Sequence, residues 1–176
     1  MPHAYARNFP RDFPRLGNRY SRKSCRTHQY NCVAWAMSEC RKPWWPGSEP
    51  AGYWPPDLPP DVTIDNFTAA FQKKGYEVCV GLHHEWRFEK VALYADRMGI
   101  PTHVARQSWR GTWFSKLGQN IDIEHRSLKS LEDGLYGTVV QAMKRPWTVK
   151  RFVTAMLLRI RTSHWLRFFC LFHLHF

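Results

Sequence analysis

The chain has 176 residues, a mass of 20.9 kDa and a formal net charge of +12. Hydrophobic residues make up 44% of it and aromatic residues 15%, which excludes a disordered chain, and the length suits a single hydrophobic core. The positive charge lies at the two ends, because residues 1–30 carry seven Arg or Lys against Asp12 alone, and seven more follow Gly134 with no Asp or Glu. The middle of the chain is therefore nearly neutral.

The chain has an odd number of cysteines, and no apolar stretch follows Met1. The cysteines are Cys25, Cys32, Cys40, Cys79 and Cys170. We therefore expect no secretory signal, no disulfide bonds and a cytoplasmic location. Arginines at 159, 161 and 167 interrupt the C-terminal apolar stretches before the roughly 18 residues that a membrane-spanning helix needs, so we expect no such helix.

Three segments follow from the pattern along the chain. Residues 1–29 mix Arg with Pro, Gly and Asn without an apolar period, which predicts a basic, irregular N-terminal arm. Residues 30–146 hold the folded domain. Residues 147–176 are basic and apolar, which predicts an amphipathic C-terminal extension.

The folded domain begins with two predicted helices. The first runs from Asn31, its cap, to Cys40 and is followed by a loop rich in Trp and Pro. The second covers residues 63–75, with Thr63 as cap and Gly75 past its end. A run of strands is predicted next, at residues 76–81, 90–96, 102–109 and 112–118, with short connections that make neighbours antiparallel. The apolar spacing of residues 128–145 then predicts a helical return, so the fold class is α+β.

Cys32 is the cysteine best placed for chemistry. It opens the first predicted helix, where unpaired backbone amides and the helix dipole favour a thiolate. His103 is the one histidine inside a central predicted strand, and a histidine opposite a thiol can act as its base. The alternative interpretation is that Cys32 is a small buried apolar residue.

Several motifs carry a resemblance to known domains. The strings Y-N-C-V-A-W-A (30–36), T-H-V-A-R-Q (102–107), W-F-S-K-L-G (113–118) and D-I-E-H (122–125) resemble a bacterial family of uncharacterised domains. More distantly, they are similar to papain-like amidases and peptidases of the bacterial cell-wall hydrolase kind. The resemblance implies a papain-like fold, in which N-terminal helices pack on an antiparallel β-meander and a helical extension follows. It also implies that Cys32 is the nucleophile and His103 the base.

Other roles in such a site have less defined candidates. Ser115 or His125 would be the third catalytic residue, and the side chain of Gln29 or Asn31 would help the Cys32 amide to hold the oxyanion. Aromatic residues of the Trp/Pro loop would line a substrate groove, although packing explains them equally well. These are Trp44, Trp45, Tyr53 and Trp54. The resulting hypothesis is a cysteine hydrolase of the amidase or peptidase kind that uses no cofactor, with an amide- or peptide-like substrate.

Two other functions compete with hydrolysis. A catalytically inactive papain-like interaction domain would keep the scaffold and lose the chemistry. A nucleic-acid-binding protein would use the basic arms for weak contact with nucleic acid or an anionic surface. A zinc site is not expected, because the spacing of Cys25, His28, Cys32 and Cys40 matches no common zinc motif.

Overall fold

The computed structural model describes residues 9–157 and residue 160. Its main element is a seven-stranded antiparallel sheet with the order β1-β6-β5-β4-β3-β7-β2. The strands are β1 (Tyr20–Arg22), β2 (Glu77–Cys79), β3 (Phe88–Ala95), β4 (Pro101–Gln107), β5 (Trp113–Lys116), β6 (Asp122–His125) and β7 (Thr138–Pro146). The helices are α1 (Phe9–Asp12), α2 (Cys32–Ala36), α3 (Ile64–Gln72) and a 3-10 turn, η1 (Leu128–Leu131).

The prediction of a papain-like fold, with helices on a β-meander and a helical extension, is wrong. The seven-stranded sheet is the largest element of the fold, and α2 and α3 are short. The helix expected from Asn31 to Cys40 ends after Ala36, and Ser38 has a φ of 64°. A residue with positive φ cannot continue a right-handed helix, so α2 has little more than one turn.

The helical return expected at residues 128–145 is also wrong, because η1 is followed by strand β7. Gly137, which precedes β7, has a φ of +73°, and a Cβ there would lie 1.9 Å from the carbonyl oxygen of Ala95. Only glycine allows this close approach, after which the β-branched residues Thr138, Val139 and Val140 favour a strand. Strand β7 inserts between β3 and β2, so β2 does not pair with β3.

Both faces of the sheet are covered, which explains why β3, β4 and β5 are buried along almost their whole length. On the first face, α2, α3 and the Trp/Pro loop pack on Val91, Leu93 and Val104. We call this the helix face. On the second face, Phe13, Leu16 and Tyr136 are among the residues that pack on Ala92, Tyr94 and Ala105. We call this the N-terminal face.

The predicted helix at residues 63–75 is confirmed as α3. Thr63 accepts a hydrogen bond from the Asn66 amide as its N-cap, and Phe67, Ala70 and Phe71 are buried. The four predicted strands correspond to β2, β3, β4 and β5; β2, β4 and β5 are shorter than predicted, whereas β3 begins two residues earlier.

The two ends of the described chain lie against this core. Within the N-terminal arm, Phe13 and Leu16 are buried and β1 pairs with β6. Within the C-terminal extension, residues 149–157 are helical, and the prediction for residues 158, 159 and 161–176 lies outside the described residues. Over the described part of the chain, every helix is too short or too polar to cross a membrane.

Candidate functional site

Asn31 and Cys32 open helix α2, as the sequence predicts. The Asn31 side chain accepts hydrogen bonds from the amides of Ala34 (3.0 Å) and Trp44 (3.1 Å) and donates one to the Trp44 carbonyl (2.7 Å). Its Oδ1 and one of its two amide hydrogens are therefore used in joining α2 to the Trp/Pro loop. Gln29, the other oxyanion candidate, is exposed.

The Cys32 thiol is buried in the core of the helix face, with 4% of the residue exposed. Burial raises the pKa of Cys32 to about 11, although the backbone amides of Val104 and Val33 and the charge of Lys116 act in the opposite direction. Since a thiolate is the reactive form of cysteine, this environment keeps the sulfur protonated at neutral pH.

His103 is not brought together with Cys32. Its neighbour Val104 packs with Cys32 on the helix face, and because strand side chains alternate, His103 projects to the N-terminal face. There its ring stacks on Tyr136 at 4.1 Å and meets Tyr94 edge-on at 5.4 Å. Neither ring nitrogen has a hydrogen-bond partner, and burial holds the pKa of His103 well below its usual value. The expected Cys32–His103 hydrogen bond is therefore absent.

Ser115 and His125, the two candidates for a third residue, are bonded to each other. The Oγ of Ser115 lies 2.9 Å from Nε2 of His125, and Nδ1 of the same ring lies 2.8 Å from the Ser127 carbonyl. A carbonyl can only accept, so Nδ1 carries the hydrogen and Nε2 accepts from Ser115. Burial lowers the pKa of His125 to about 4. This pair lies on the N-terminal face with His103, because Ser115 pairs with Ala105 and with Ile123.

Lys116 and Asp122 form a buried pair on the helix face that the sequence analysis did not find. They are directly opposed on β5 and β6, with Nζ and Oδ1 3.9 Å apart. Nζ donates to the carbonyls of Thr27 (2.9 Å) and Asn120, and Tyr30 donates to Oδ2 of Asp122 (2.7 Å). The Lys116 side chain is completely buried, and burial lowers its pKa to about 8. The pKa of the Asp122 carboxyl is raised by burial.

The expected aromatic groove is filled by its own side chains. Trp44 and Trp54 are buried, and Trp45 and Tyr53 are half-buried. The rings of Trp45 and Trp54 lie 5.1 and 5.3 Å from that of Phe67 in α3, and Trp44 packs on Tyr53 at 4.4 Å. These residues are therefore packing residues of the core edge. A small cavity of about 190 Å³ remains beside Tyr30, Asn31 and Gly118.

A larger cavity of about 770 Å³ opens where the N-terminal segment meets β6 and η1. Four of its lining residues are cationic and one is acidic. The cationic residues are Arg15, Arg19, Arg126 and Lys129, and the acidic residue is Glu124. We call this the basic cavity. His125 also lines it, but both ring nitrogens are occupied by the bonds described above.

Among the described residues, no three His, Cys, Asp or Glu side chains lie close enough together to hold a metal ion. None of the four cysteines within that part of the chain, Cys25, Cys32, Cys40 and Cys79, forms a disulfide bond with another described residue.

Comparison with known protein families gives a match to the central part of the chain. Residues 21–144 match DUF7689, a domain of unknown function. The chain belongs to the DUF7689 family. This confirms the prediction of an uncharacterised domain family from the motifs around Cys32, His103 and Ser115. The DUF7689 match includes most of β1 and most of β7, so it covers all or part of each of the seven strands. No curated protein and no solved structure matches the chain.

Proposed function

We propose that this protein binds nucleic acid through the basic cavity, which contacts backbone phosphates without reading the base sequence. The observation that carries the proposal is an open cavity of about 770 Å³ with four cationic residues on its walls. Its volume lies in the range of ligand sites, and guanidinium groups suit phosphate because they can donate two parallel hydrogen bonds.

The acidic groups near the cavity are already paired, which leaves its field positive. Glu124 is bonded to Lys23 (2.6 Å) and accepts from Thr112 (2.7 Å). Asp133 is paired with Arg15. Arg126 and Lys129 are exposed, and neither forms an ion pair with a carboxylate of the described residues. Two cations are therefore free to meet a phosphate backbone.

The N-terminal segment supplies the other wall. Arg15 and Arg19 belong to the basic arm predicted from the sequence, and the buried side chains of Phe13 and Leu16 fix this part of the arm on the sheet. The arm's charge is thus combined with that of Arg126, so a polyanion would meet both at once. Such binding is electrostatic and depends on salt.

The cytoplasm of a bacterial cell is the proposed location. The four described cysteines form no disulfide bonds, which is typical of a reducing compartment. The motif at residues 30–36 resembles a bacterial family of uncharacterised domains, which supports a bacterial origin.

The test measures the affinity of the full chain for a labelled single-stranded oligonucleotide at several salt concentrations. Arg126→Glu is compared with Arg97→Glu, which makes the same change in net charge at an exposed arginine in the turn between β3 and β4. We expect Arg126→Glu to weaken binding about tenfold and to reduce the salt dependence by roughly one phosphate contact, with little effect of Arg97→Glu. Equal effects of both variants, or no binding by the unmodified chain, would overturn the proposal.

A second candidate function is thiol-dependent hydrolysis of an amide or ester at Cys32, with Lys116 as the base in place of His103. The observation that favours it is the buried amine of Lys116, which has a pKa of about 8. The charge of this amine acts to lower the pKa of Cys32, against the larger effect of burial. An amine with a pKa near the working pH suits general-base catalysis. The amine would take the thiol proton, the thiolate would attack the carbonyl and expel the leaving group, and water would hydrolyse the thioester.

This candidate is tested with p-nitrophenyl acetate and mass spectrometry of the acylated chain. We expect an acetyl group on Cys32 that is lost in Lys116→Met and kept in Cys25→Ala. Acetylation confined to the other cysteines, or unchanged in Lys116→Met, would reject the candidate.

A further inference from the structure

The helix at residues 149–157 exposes its apolar side to solvent, and we call it the C-terminal helix. Apolar residues recur along it and at residue 160 with the spacing i, i+3, i+4, i+7, i+8 and i+11. They are Val149, Phe152, Val153, Met156, Leu157 and Ile160. Their exposed fractions range from 40% for Phe152 to 83% for Val149, so this stripe is not buried in the core.

The C-terminal helix contacts the rest of the protein through its polar side and through one edge of the stripe. Arg151 and Ala155 are half-buried, one turn apart, and the Arg151 guanidinium donates to the carbonyl of Pro146 (3.0 Å). A surface helix of a globular protein normally turns its apolar stripe toward the core. Here the contacts leave every residue of the stripe at least 40% exposed.

Aromatic residues next to the helix extend the apolar surface. Phe152 contacts the rings of Trp109 (6.1 Å) and Trp147 (6.4 Å), and these residues line a groove of about 330 Å³. Trp109 is 42% exposed. Tryptophan is favoured at the boundary between water and hydrocarbon because it has an apolar ring system and one polar donor.

Basic side chains surround this surface. Lys150 and Arg110 are exposed beside it, and the chain from Gly134 onward contains seven Arg or Lys and no Asp or Glu. An exposed apolar stripe with cationic neighbours complements an anionic lipid surface, in which apolar side chains enter the headgroup region and cations meet the lipid charges.

We propose that the C-terminal helix, together with Trp109, docks the protein on the surface of an anionic lipid bilayer. The helix lies in the plane of the interface, with the stripe from Val149 to Ile160 toward the lipid. This surface is distinct from the basic cavity, since the two share no lining residue.

The experiment is co-sedimentation of the full chain with vesicles of phosphatidylcholine alone or of equimolar phosphatidylcholine and phosphatidylserine. Met156→Glu is compared with Met98→Glu, which introduces the same charge at an exposed methionine in the turn between β3 and β4. We expect binding to the anionic vesicles alone. The partition coefficient of Met156→Glu should be about tenfold lower, because the favourable transfer of one Met side chain from water to the lipid is lost. Met98→Glu is expected to change it less than twofold.

Three outcomes would overturn the proposal. The first is no association with anionic vesicles, and the second is an equal loss in both methionine variants. The third is concentration-dependent dimerisation that Met156→Glu abolishes while vesicle binding is unchanged, which would assign the stripe to a second copy of the chain. Arg126→Glu tests whether vesicle binding depends on the basic cavity, and it is expected to leave vesicle binding nearly unchanged.

Discussion

Two buried charge clusters lie on the helix face of the sheet, and they differ in the distance between their opposite charges. In the first, Glu89 is bonded through Oε2 to Arg145 (2.6 Å) and Tyr76 (3.0 Å) and lies 3.4 Å from Arg106 through Oε1. Arg106 also donates to the carbonyl of Trp35 in α2 (3.1 Å). Each charge of this cluster has a close partner, so the cluster ties α2 and three strands together.

The second cluster is looser. Lys116 and Asp122 remain 3.9 Å apart, whereas Arg145 lies 2.6 Å from Glu89. One carboxylate oxygen in each cluster, Oε1 of Glu89 and Oδ1 of Asp122, accepts no hydrogen bond. The cost of burying a charge is therefore not fully offset, and the pKa values of both groups shift toward their neutral forms. The comparison shows that burial does not by itself decide how closely two opposite charges approach each other.

The largest expected effect comes from removing Glu89 from the first cluster. Glu89→Ala leaves two arginines buried without their carboxylate, which should lower the free energy of unfolding by about 3 to 5 kcal/mol. Urea titration followed by tryptophan fluorescence measures this change. Glu77→Ala is the control, because Glu77 is exposed on β2, and it should change stability by less than about 0.5 kcal/mol. Similar losses in the two variants would show that the Glu89 cluster is not what ties the strands together.

A smaller effect is expected in the loose cluster. Asp122→Asn keeps an oxygen that can accept from Tyr30 but removes the carboxylate charge near Lys116, so we expect a loss of about 1 to 2 kcal/mol. The same urea titration measures it. A loss as large as that of Glu89→Ala would contradict the comparison, since the two clusters would then be equally paired.

The smallest effect is a pH dependence that belongs to Lys116. Its pKa is about 8 in the folded chain and higher in the unfolded chain, so the unfolded state binds more protons between these values and stability rises with pH. Between pH 7 and 9 the gain should be about 1 kcal/mol, and above pH 9 the raised pKa of Cys32 acts in the opposite direction. Lys116→Met should lack the gain, and a slope that persists in this variant would assign it to another group.

Local signals in the sequence were sufficient for the elements that have them. Helix α3 has a Thr63 cap and apolar residues at helical spacing, and the strands β3 to β5 are rich in β-branched and aromatic residues. The helix predicted at residues 128–145 was wrong because Leu135, Val139 and Ala142 fit a helical period, whereas Gly137 and its contact with Ala95 favour a strand. That contact is distant in sequence and no local pattern reveals it.

The candidate site shows the same limit. The position of Cys32 at the start of a helix could be predicted from its Asn31 cap, but the side of the sheet that His103 faces depends on strand register. A shift of one residue exchanges His103 and Val104 between the faces. Lys116 and Asp122 meet for the same reason, and the signal available was a lysine among the buried residues of an apolar strand.

The place of β7 between β3 and β2 has a consequence for synthesis of the protein on the ribosome. About 60 residues separate β2 from its partner β7, so β2 cannot join the sheet until translation has passed residue 146. Until then, one edge of β3 carries unpaired backbone groups in the nascent chain. A ribosome that pauses within residues 96–137 would therefore prolong the period in which this edge can pair with another chain.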